Sequence, residues 1–485
     1  MGIRTGQEYL DKLNSMTPHV VYNGEIITKN IADHPAFSGV ARTYARLFDM
    51  QHDPQYQDQL TYITEKGDRA HTSFMVPKTR EDLERRRAGM SLWAQDSNGF
   101  LGRSGDYMNS SLTALSTAKD FFAKADPKFG ERIEKYYEWC RDNDILATHT
   151  LIPPQVNRAV KGTEQGGGQL AARVIEERED GIIVSGARML ATIAPIADEM
   201  LVFPSTVLRG DPADAPYSYA FAVPNDAPGL RYISRVSYDQ TGNLFDEPLA
   251  ARYEEMDCVV IFDNVFIPND RVFLLGHPEL CNAWYAETGA AALMTHQVVT
   301  RTIAKAEFFL GLASEIAESI GIEGFQHIEV DLAELIVDVE IIKALMTTSE
   351  AKAELNEAGM MVPYWPALNA ARNWYPKISQ RFPQIIRKFA ASGLMALPNE
   401  ADIHNPEIVG DIDMYLQSAT QTGPERTRLF KLAHDASLSA FGSRQAHYEN
   451  FFFGDPIRMA GALLKSYDRT AARQRVKDLL ARDGH

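Results

Sequence analysis

Arg103 and Tyr107 stand four residues apart in GFLGRSGDYMNSS, residues 99–111, with glycines on either side of the arginine. A guanidinium and a phenol beside so permissive a backbone can wrap a small ligand, although a surface turn would use the same residues. His149, in ATHTLIPPQVNR, is an ionisable imidazole flanked by two threonines and followed by an extended Pro-Pro-Gln segment. It can exchange a proton near neutral pH, but a lone histidine is more often structural. His296, in AALMTHQVVTRT, lies on an apolar helix and reads as a satisfied core or near-site residue. Thr192 and the pair Ser205–Thr206 could hydrogen-bond a flat ligand, yet threonine also simply suits strands. Residues 440–459, AFGSRQAHYENFFFGDPIRM, join an arginine to three successive phenylalanines and a Gly-Asp-Pro stop. Three consecutive rings cannot share one helix face, so one or more must meet another surface, and a subunit interface, a ligand site and ordinary core packing all stay open.

Other chemistries lack their signatures. The chain has no GxxxxGK[ST] phosphate loop and no HExxH zinc pair. The G-x-G-x-x-A run at Gly166–Ala171 follows polar VNRAVKGTEQ rather than a buried strand, so a dinucleotide-binding reading fails. Cys140, Cys258 and Cys281 are odd in number and far apart, which suits a reducing compartment and gives no disulfide or metal pattern. The N-terminal MGIRTGQEYLDKLN carries no apolar signal stretch, and Gly6 breaks the myristoylation pattern, so a cytoplasmic location is expected. A net charge of −16 argues against nucleic acid and anionic membranes as partners. No apolar run approaches the roughly 18 residues of a membrane span.

The elements that must position these residues form an α+β pattern across 485 residues. Residues 1–148 read as a mainly helical N-terminal domain, with helices at Arg80–Ser97, Ser110–Lys124 and Phe129–Asn143. Residues 149–280 read as a middle β domain. Its strand formers from about 170 to 275 are punctuated by Gly, Pro, Asp and Asn in the manner of an antiparallel sheet or barrel. Residues 281–485 read as a C-terminal helical bundle, with helices at Cys281–Ile320, Ile328–Ala358, Tyr375–Gly393 and Pro424–Asn450. Breaks are expected at GMMVPYWPALN and ALPNEADIHNPEIVGD.

GRSGDYMN, ATHTLIPPQVNR, FDNVFIPNDRVF (262–273) and SRQAHYENFFFGDPIRM together resemble the oxygenases of the two-component, reduced-flavin-dependent 4-hydroxyphenylacetate 3-monooxygenase family. The resemblance runs in order over nearly the whole chain. It implies an acyl-CoA-dehydrogenase-like fold and FAD used as diffusible FADH2 with O2 as co-substrate. It also implies a separate NAD(P)H-dependent flavin reductase and a homotetramer joined through C-terminal helices. Carried over residue by residue, it makes Arg103, Tyr107 and His149 catalytic, and sets Ser104, Ser205 and Thr206 beside the substrate. His149, Thr150, Leu151, Gln155 and Arg158 fall on the stretch that lines the flavin, and Thr192 on the edge bearing N5. Arg444, Tyr448, Phe453, Gly454 and Asp455 fall on the segment contacting its phosphate and adenine side, across a subunit interface.

The implied reaction is ortho-hydroxylation of a phenol through a flavin C4a-hydroperoxide, with 4-hydroxyphenylacetate as substrate and 3,4-dihydroxyphenylacetate as product. Phenol or chlorophenol monooxygenation by the same family is the alternative. An unperturbed phenol has a pKa of about 10, so turnover at neutral pH needs a group that stabilises the phenolate or takes its proton. 4-Hydroxybutyryl-CoA dehydratase shares the fold but needs three cysteines and a histidine for an iron–sulfur cluster. His296 could be that histidine, yet Arg103–Tyr107 and Thr302–Ile303 stand where the thiolates would have to be. An acyl-CoA dehydrogenase with tightly bound FAD is the remaining flavoenzyme rival.

Overall fold

The structure, a computed structural model, describes residues 2–157, 159–161, 163–204, 208 and 210–482. Its N-terminal part is built on the helices Gly6–Ser15, Pro35–Met50, Arg80–Asp96, Gly105–Thr117 and Pro127–Asp142. Arg80–Asp96 starts where the sequence places it because Thr79 and Asp82 form a reciprocal capping box. The next helix begins at Gly105, earlier than the expected Ser110, and ends at Thr117. The glycine-flanked segment is therefore the entrance to a helix, with Ser104 at its N-cap and Tyr107 in its first turn.

The middle of the chain, joined by two strands from near the N-terminus, forms two sheets and, among the described residues, no barrel. In the six-stranded sheet the order is Glu25–Ile27, Val20–Tyr22, Leu230–Ser234, Asp257–Pro268, Gly181–Thr192 and Arg173–Glu177. In the four-stranded sheet it is Val272–Leu275, Tyr219–Pro224, Glu199–Val202 and Ala147–Thr150. The expected antiparallel pairing holds except at two places. Val20–Tyr22 runs parallel to Leu230–Ser234, and Ala147–Thr150 runs parallel to Glu199–Val202. The second exception matters because it anchors the strand bearing His149, opposite Leu201.

The C-terminal helices pack around Ala290–Ser319, which is apolar on most of its faces and largely buried. The expected helix Cys281–Ile320 is interrupted before it, at Gly289, whose left-handed φ of 77° ends the preceding turn. Trp365–Ser379 lies partly within the expected break GMMVPYWPALN, because Pro366 sits in its first turn, where proline is tolerated. The expected helix Pro424–Asn450 is two helices, Gly423–Ser437 and Ala440–Phe451, and the Ser439 hydroxyl caps the second by accepting from Gly442 N at 3.0 Å. The fold is therefore α+β, with helices before and after a β region.

A buried ionic cluster ties the central helix to the helix that closes the site. Both terminal guanidinium nitrogens of Arg301 reach Glu449, at 2.7 and 2.8 Å, and Lys305 Nζ reaches it at 2.8 Å. Burial raises the Glu449 carboxyl, but the two cations outweigh burial and hold it down to about 2. Glu449→Ala would leave two cations buried without their carboxylate. It is expected to cost about 3–5 kcal/mol of stability, measured by denaturant unfolding.

Candidate active site

Glycines shape the segment that carries Arg103. Gly99 adopts φ 69°, and a Cβ there would lie 2.6 Å from the Arg301 carbonyl oxygen and 2.7 Å from Lys305 Cβ. At Gly102 a Cβ would lie 2.3 Å from the Tyr448 hydroxyl. These close approaches seat the main chain against the 290–319 and 440–451 helices. The Arg103 guanidinium then donates from Nη1 to the Gly102 carbonyl at 3.0 Å and to the Tyr448 hydroxyl at 2.5 Å. Its Cζ lies 5.0 Å from the Tyr107 ring centroid and 4.7 Å from that of Phe452, within cation–π range. Gly102→Ala should displace Tyr448 and with it the guanidinium. Activity is expected to fall about tenfold or more, and stability by about 1–3 kcal/mol because the Tyr448 hydroxyl is held by Arg103 and the Gly102 carbonyl, measured as kcat/KM alongside a melting curve.

His149 faces Tyr107 across 5.5 Å between ring centroids. Both are buried, although the sequence separates them by a helix pair. A row of rings runs through this point. Phe453 meets Phe452 at 5.2 Å, Phe452 meets Tyr107 at 5.6 Å, and His149 meets Phe203 at 6.3 Å. Phe203 stacks on Trp284 at 4.5 Å. Burial, helped by the Arg103 charge, holds the His149 imidazolium well below the ordinary histidine range, so the ring is neutral at physiological pH. Burial pushes the Tyr107 phenol upward, against the pull of Arg103, so Tyr107 stays protonated.

Three buried nitrogens in this region, Arg103 Nε, His149 Nδ1 and Trp284 Nε1, have no hydrogen-bond partner among the described residues. Buried donors and acceptors are normally satisfied, so unpaired ones along an aromatic row fit a planar heteroaromatic or phenolic ligand. No group of three or more His, Cys, Asp or Glu side chains among the described residues could hold a metal ion.

The remaining candidates fall in three groups. Ser104 and Tyr448 adjoin Arg103: Ser104 Oγ lies 3.5 Å from Gln297 Nε2, which also donates to Asp106 at 3.1 Å. Burial raises the Asp106 carboxyl to about 6 against these hydrogen bonds. Thr150, Leu151, Thr192 and Arg444 form a framework around the His149 strand. The Thr150 hydroxyl donates to the Met189 carbonyl at 2.9 Å, and the Leu151 carbonyl accepts from Arg188 at 2.6 Å. The Thr192 hydroxyl donates to Asp257 at 2.9 Å, and Arg444 pairs with the same carboxylate at 2.7 Å. Gln155, Phe453, Gly454 and Asp455 lie toward the periphery. Gln155 and Gly454 are exposed, Asp455 caps the Pro456–Ser466 helix, and the Phe453 carbonyl accepts from Arg372 at 3.3 Å. Arg158, Ser205 and Thr206 lie outside the described residues.

Models of one family cover this architecture in two parts. The model described as 4-hydroxyphenylacetate 3-hydroxylase N terminal matches residues 5–274, and the one described as its C terminal matches residues 281–481. The chain belongs to the 4-hydroxyphenylacetate 3-hydroxylase family. It is 43% identical over 480 residues to the 4-hydroxyphenylacetate 3-monooxygenase oxygenase component of Geobacillus sp. (strain PA-9), spanning 99% of this chain and 97% of that protein. The oxygenase component of Thermus thermophilus is 44% identical over 477 residues, or 98% of this chain and 97% of that protein. A crystal structure of such an oxygenase component complexed with FAD and 4-hydroxyphenylacetate superimposes with a TM-score of 0.94 at 43% identity, covering 99% and 98% of the two chains. An archaeal 4-hydroxybutyryl-CoA dehydratase shares the fold alone, with a TM-score of 0.88 at 18% identity.

His296 is spoken for: its Nε2 lies 2.8 Å from the buried Glu350 carboxylate, which also accepts from Arg87. The three cysteines are free and buried. Sequence reading did not single out Glu255, Asp257, Phe203 or Trp284. Glu255 and Asp257 in particular lie in YEEMDC, where acidic residues look like a solvated turn. The phenylalanine triplet divides as its spacing requires, with Phe452 toward Arg103, Phe453 toward Arg372 and Phe451 exposed.

Proposed function

We propose that the chain is the oxygenase component of a two-component, reduced-flavin-dependent monooxygenase. In this reading it hydroxylates 4-hydroxyphenylacetate ortho to its hydroxyl, giving 3,4-dihydroxyphenylacetate. The observation that carries it is the meeting of Arg103, Tyr107 and His149, with unpaired buried nitrogens on two of them, in a member of this family. When bound, reduced flavin supplies two electrons, so that one atom of O2 enters the ring and the other leaves as water. The aromatic row and the His149–Leu151 strand would hold its planar part, with Thr192 at one edge and the 444–455 segment toward its nucleotide end.

The chain's own task is to make the phenol electron-rich. Moving a proton from a phenol of pKa about 10 to an imidazole below 6.5 costs more than about 5 kcal/mol without help. Arg103 supplies that help by stabilising the phenolate oxygen, and the anion in turn stabilises a proton on His149 Nδ1. Tyr107, kept protonated, donates a further hydrogen bond to the same oxygen. Residues 1–148, 149–280 and 281–485 act here as three domains meeting at one site. Assembly into a homotetramer is supported by the Thr470–Arg482 helix, which buries none of its residues in the single chain and exposes Val476, Leu479 and Leu480. Free buried cysteines suit a cytoplasmic location, and no described helix is long and apolar enough to cross a membrane.

A panel of 4-hydroxyphenylacetate, p-cresol, phenol and chlorophenols, supplied with a generic flavin reductase, NADH and FAD, tests the reading. Catechol formation is expected throughout, with the highest kcat/KM for 4-hydroxyphenylacetate. Chromatograms without catechol from any of these phenols would overturn it, and a clear preference for a phenol without a carboxylate would move the substrate.

A further inference from the structure

The Glu255 carboxylate is fully buried and is spent chiefly on the main chain, with the Arg444 guanidinium 3.9 Å from its Oε2. Its Oε2 accepts from Gly102 N at 2.7 Å and its Oε1 from Arg103 N, also at 2.7 Å. The Tyr44 hydroxyl donates to the same Oε1 at 3.1 Å. The carboxylate thus grips two successive amides immediately before the Gly105–Thr117 helix. It does so from a segment more than 150 residues away in sequence.

What it leaves ungripped is as telling. The Arg103 guanidinium hydrogen-bonds to two neutral oxygens, the Gly102 carbonyl and the Tyr448 hydroxyl, and forms no ion pair among the described residues. Arg301 and Arg444, its cationic neighbours across the Tyr448 ring, are both neutralised by carboxylates. Had Glu255 met the guanidinium, the charge of Arg103 would have been cancelled. Taken up by the backbone, the carboxylate fixes where that charge sits and leaves it available to an anion.

We infer that Glu255 is a positioning residue of the oxygenase, acting on the substrate phenol through Arg103. The inference rests on the proposed role of Arg103 beside the phenol oxygen. Glutamine at 255 offers one acceptor oxygen where two amides need one each, so the Gly102–Arg103 turn loses half of its grip. Displacement of a catalytic group by about 1 Å can cost on the order of a hundredfold in rate.

The experiment uses full-length protein and reads two signals. The first is the apparent pKa of 4-nitrophenol bound to flavin-free protein, followed by phenolate absorbance. The second is kcat/KM for 4-hydroxyphenylacetate in a double-mutant cycle. Wild type is expected to lower the bound phenol's pKa below its free value, Arg103→Ala to abolish that shift, and Glu255→Gln to reverse part of it. Glu255→Gln is expected to lower kcat/KM about ten- to a hundredfold in the wild-type background and less than about threefold when Arg103 is already alanine. Glu255→Asp keeps the charge with a shorter reach and should fall between. Tyr44→Phe, which leaves both amides gripped, should not move the phenol's pKa. Multiplicative losses in the cycle, or an unshifted phenol pKa in Glu255→Gln while Arg103→Ala moves it, overturn the inference alone. Arg103→Ala behaving as wild type overturns the reading beneath it as well. Failure of both Glu255 variants to fold would assign the carboxylate to folding and overturn the positioning role.

Discussion

Replacing Arg103 with alanine is expected to lower kcat/KM for a phenolic substrate by about 10²–10³, the loss seen when one fixed donor to a developing oxyanion is removed. The expectation follows from what the guanidinium lacks. It is buried, its Nε is unpaired, and its hydrogen bonds go to neutral oxygens, so its charge is directed at whatever ligand enters. Arg103→Lys should recover only part of the loss, because a lysine ammonium cannot reproduce the planar group held between Tyr448 and the Tyr107 and Phe452 rings. The loss should appear as hydrogen peroxide released per NADH consumed, since reducing equivalents are still spent when the ring is not activated. Catechol by chromatography and peroxide by a coupled assay measure both halves. Tight coupling with near-wild-type catechol in Arg103→Ala would remove Arg103 from the chemistry.

How much of this could be read from the chain depends on the range of the signal. Helix starts set by local chemistry were legible, as the Thr79–Asp82 capping box shows, because the cap and its partner are three residues apart. Gly105 was misjudged for the opposite reason. Three glycines around Arg103 look like a turn, and what makes them a helix entrance is a carboxylate far along the chain and a tyrosine on a C-terminal helix. The parallel pairing of Ala147–Thr150 with Glu199–Val202 has no local signature either, since strand propensity carries no direction. Arg103, Tyr107 and His149 were individually ambiguous. Only the family resemblance joined them, and the structure adds the geometry: a 5.0 Å cation–π contact and a 5.5 Å ring pair. Glu255 stayed invisible because its function is to bind backbone, which leaves no trace in residue types.

Replacing His149 with alanine is expected to lower kcat/KM by about 10²–10⁴, the range for loss of a positioned general base. Its protonation state makes the prediction specific. Burial and the Arg103 charge hold the imidazolium well below pH 6.5, so the free enzyme carries a neutral ring over the whole physiological range. The pH profile of kcat/KM should therefore show no limb at the ordinary histidine pKa, and its acid limb should lie below it. In Arg103→Ala one of the two causes of the depression is gone, and the limb should move upward. Stability carries the same signature. An unfolded His149 takes up a proton near pH 6.5 while the folded one does not, so its contribution to stability is full above that pH and is lost progressively as pH falls toward the folded value. His71 is depressed by burial to about 3 and adds a slope of the same sign, so His149→Gln should flatten the acid side of the stability curve without abolishing it. A kcat/KM limb at pH 6.5 in wild type, or an unchanged acid slope in His149→Gln, would mean that the ring is charged or exposed in solution. A proton could then not be delivered from the phenol to His149 in the way the geometry allows.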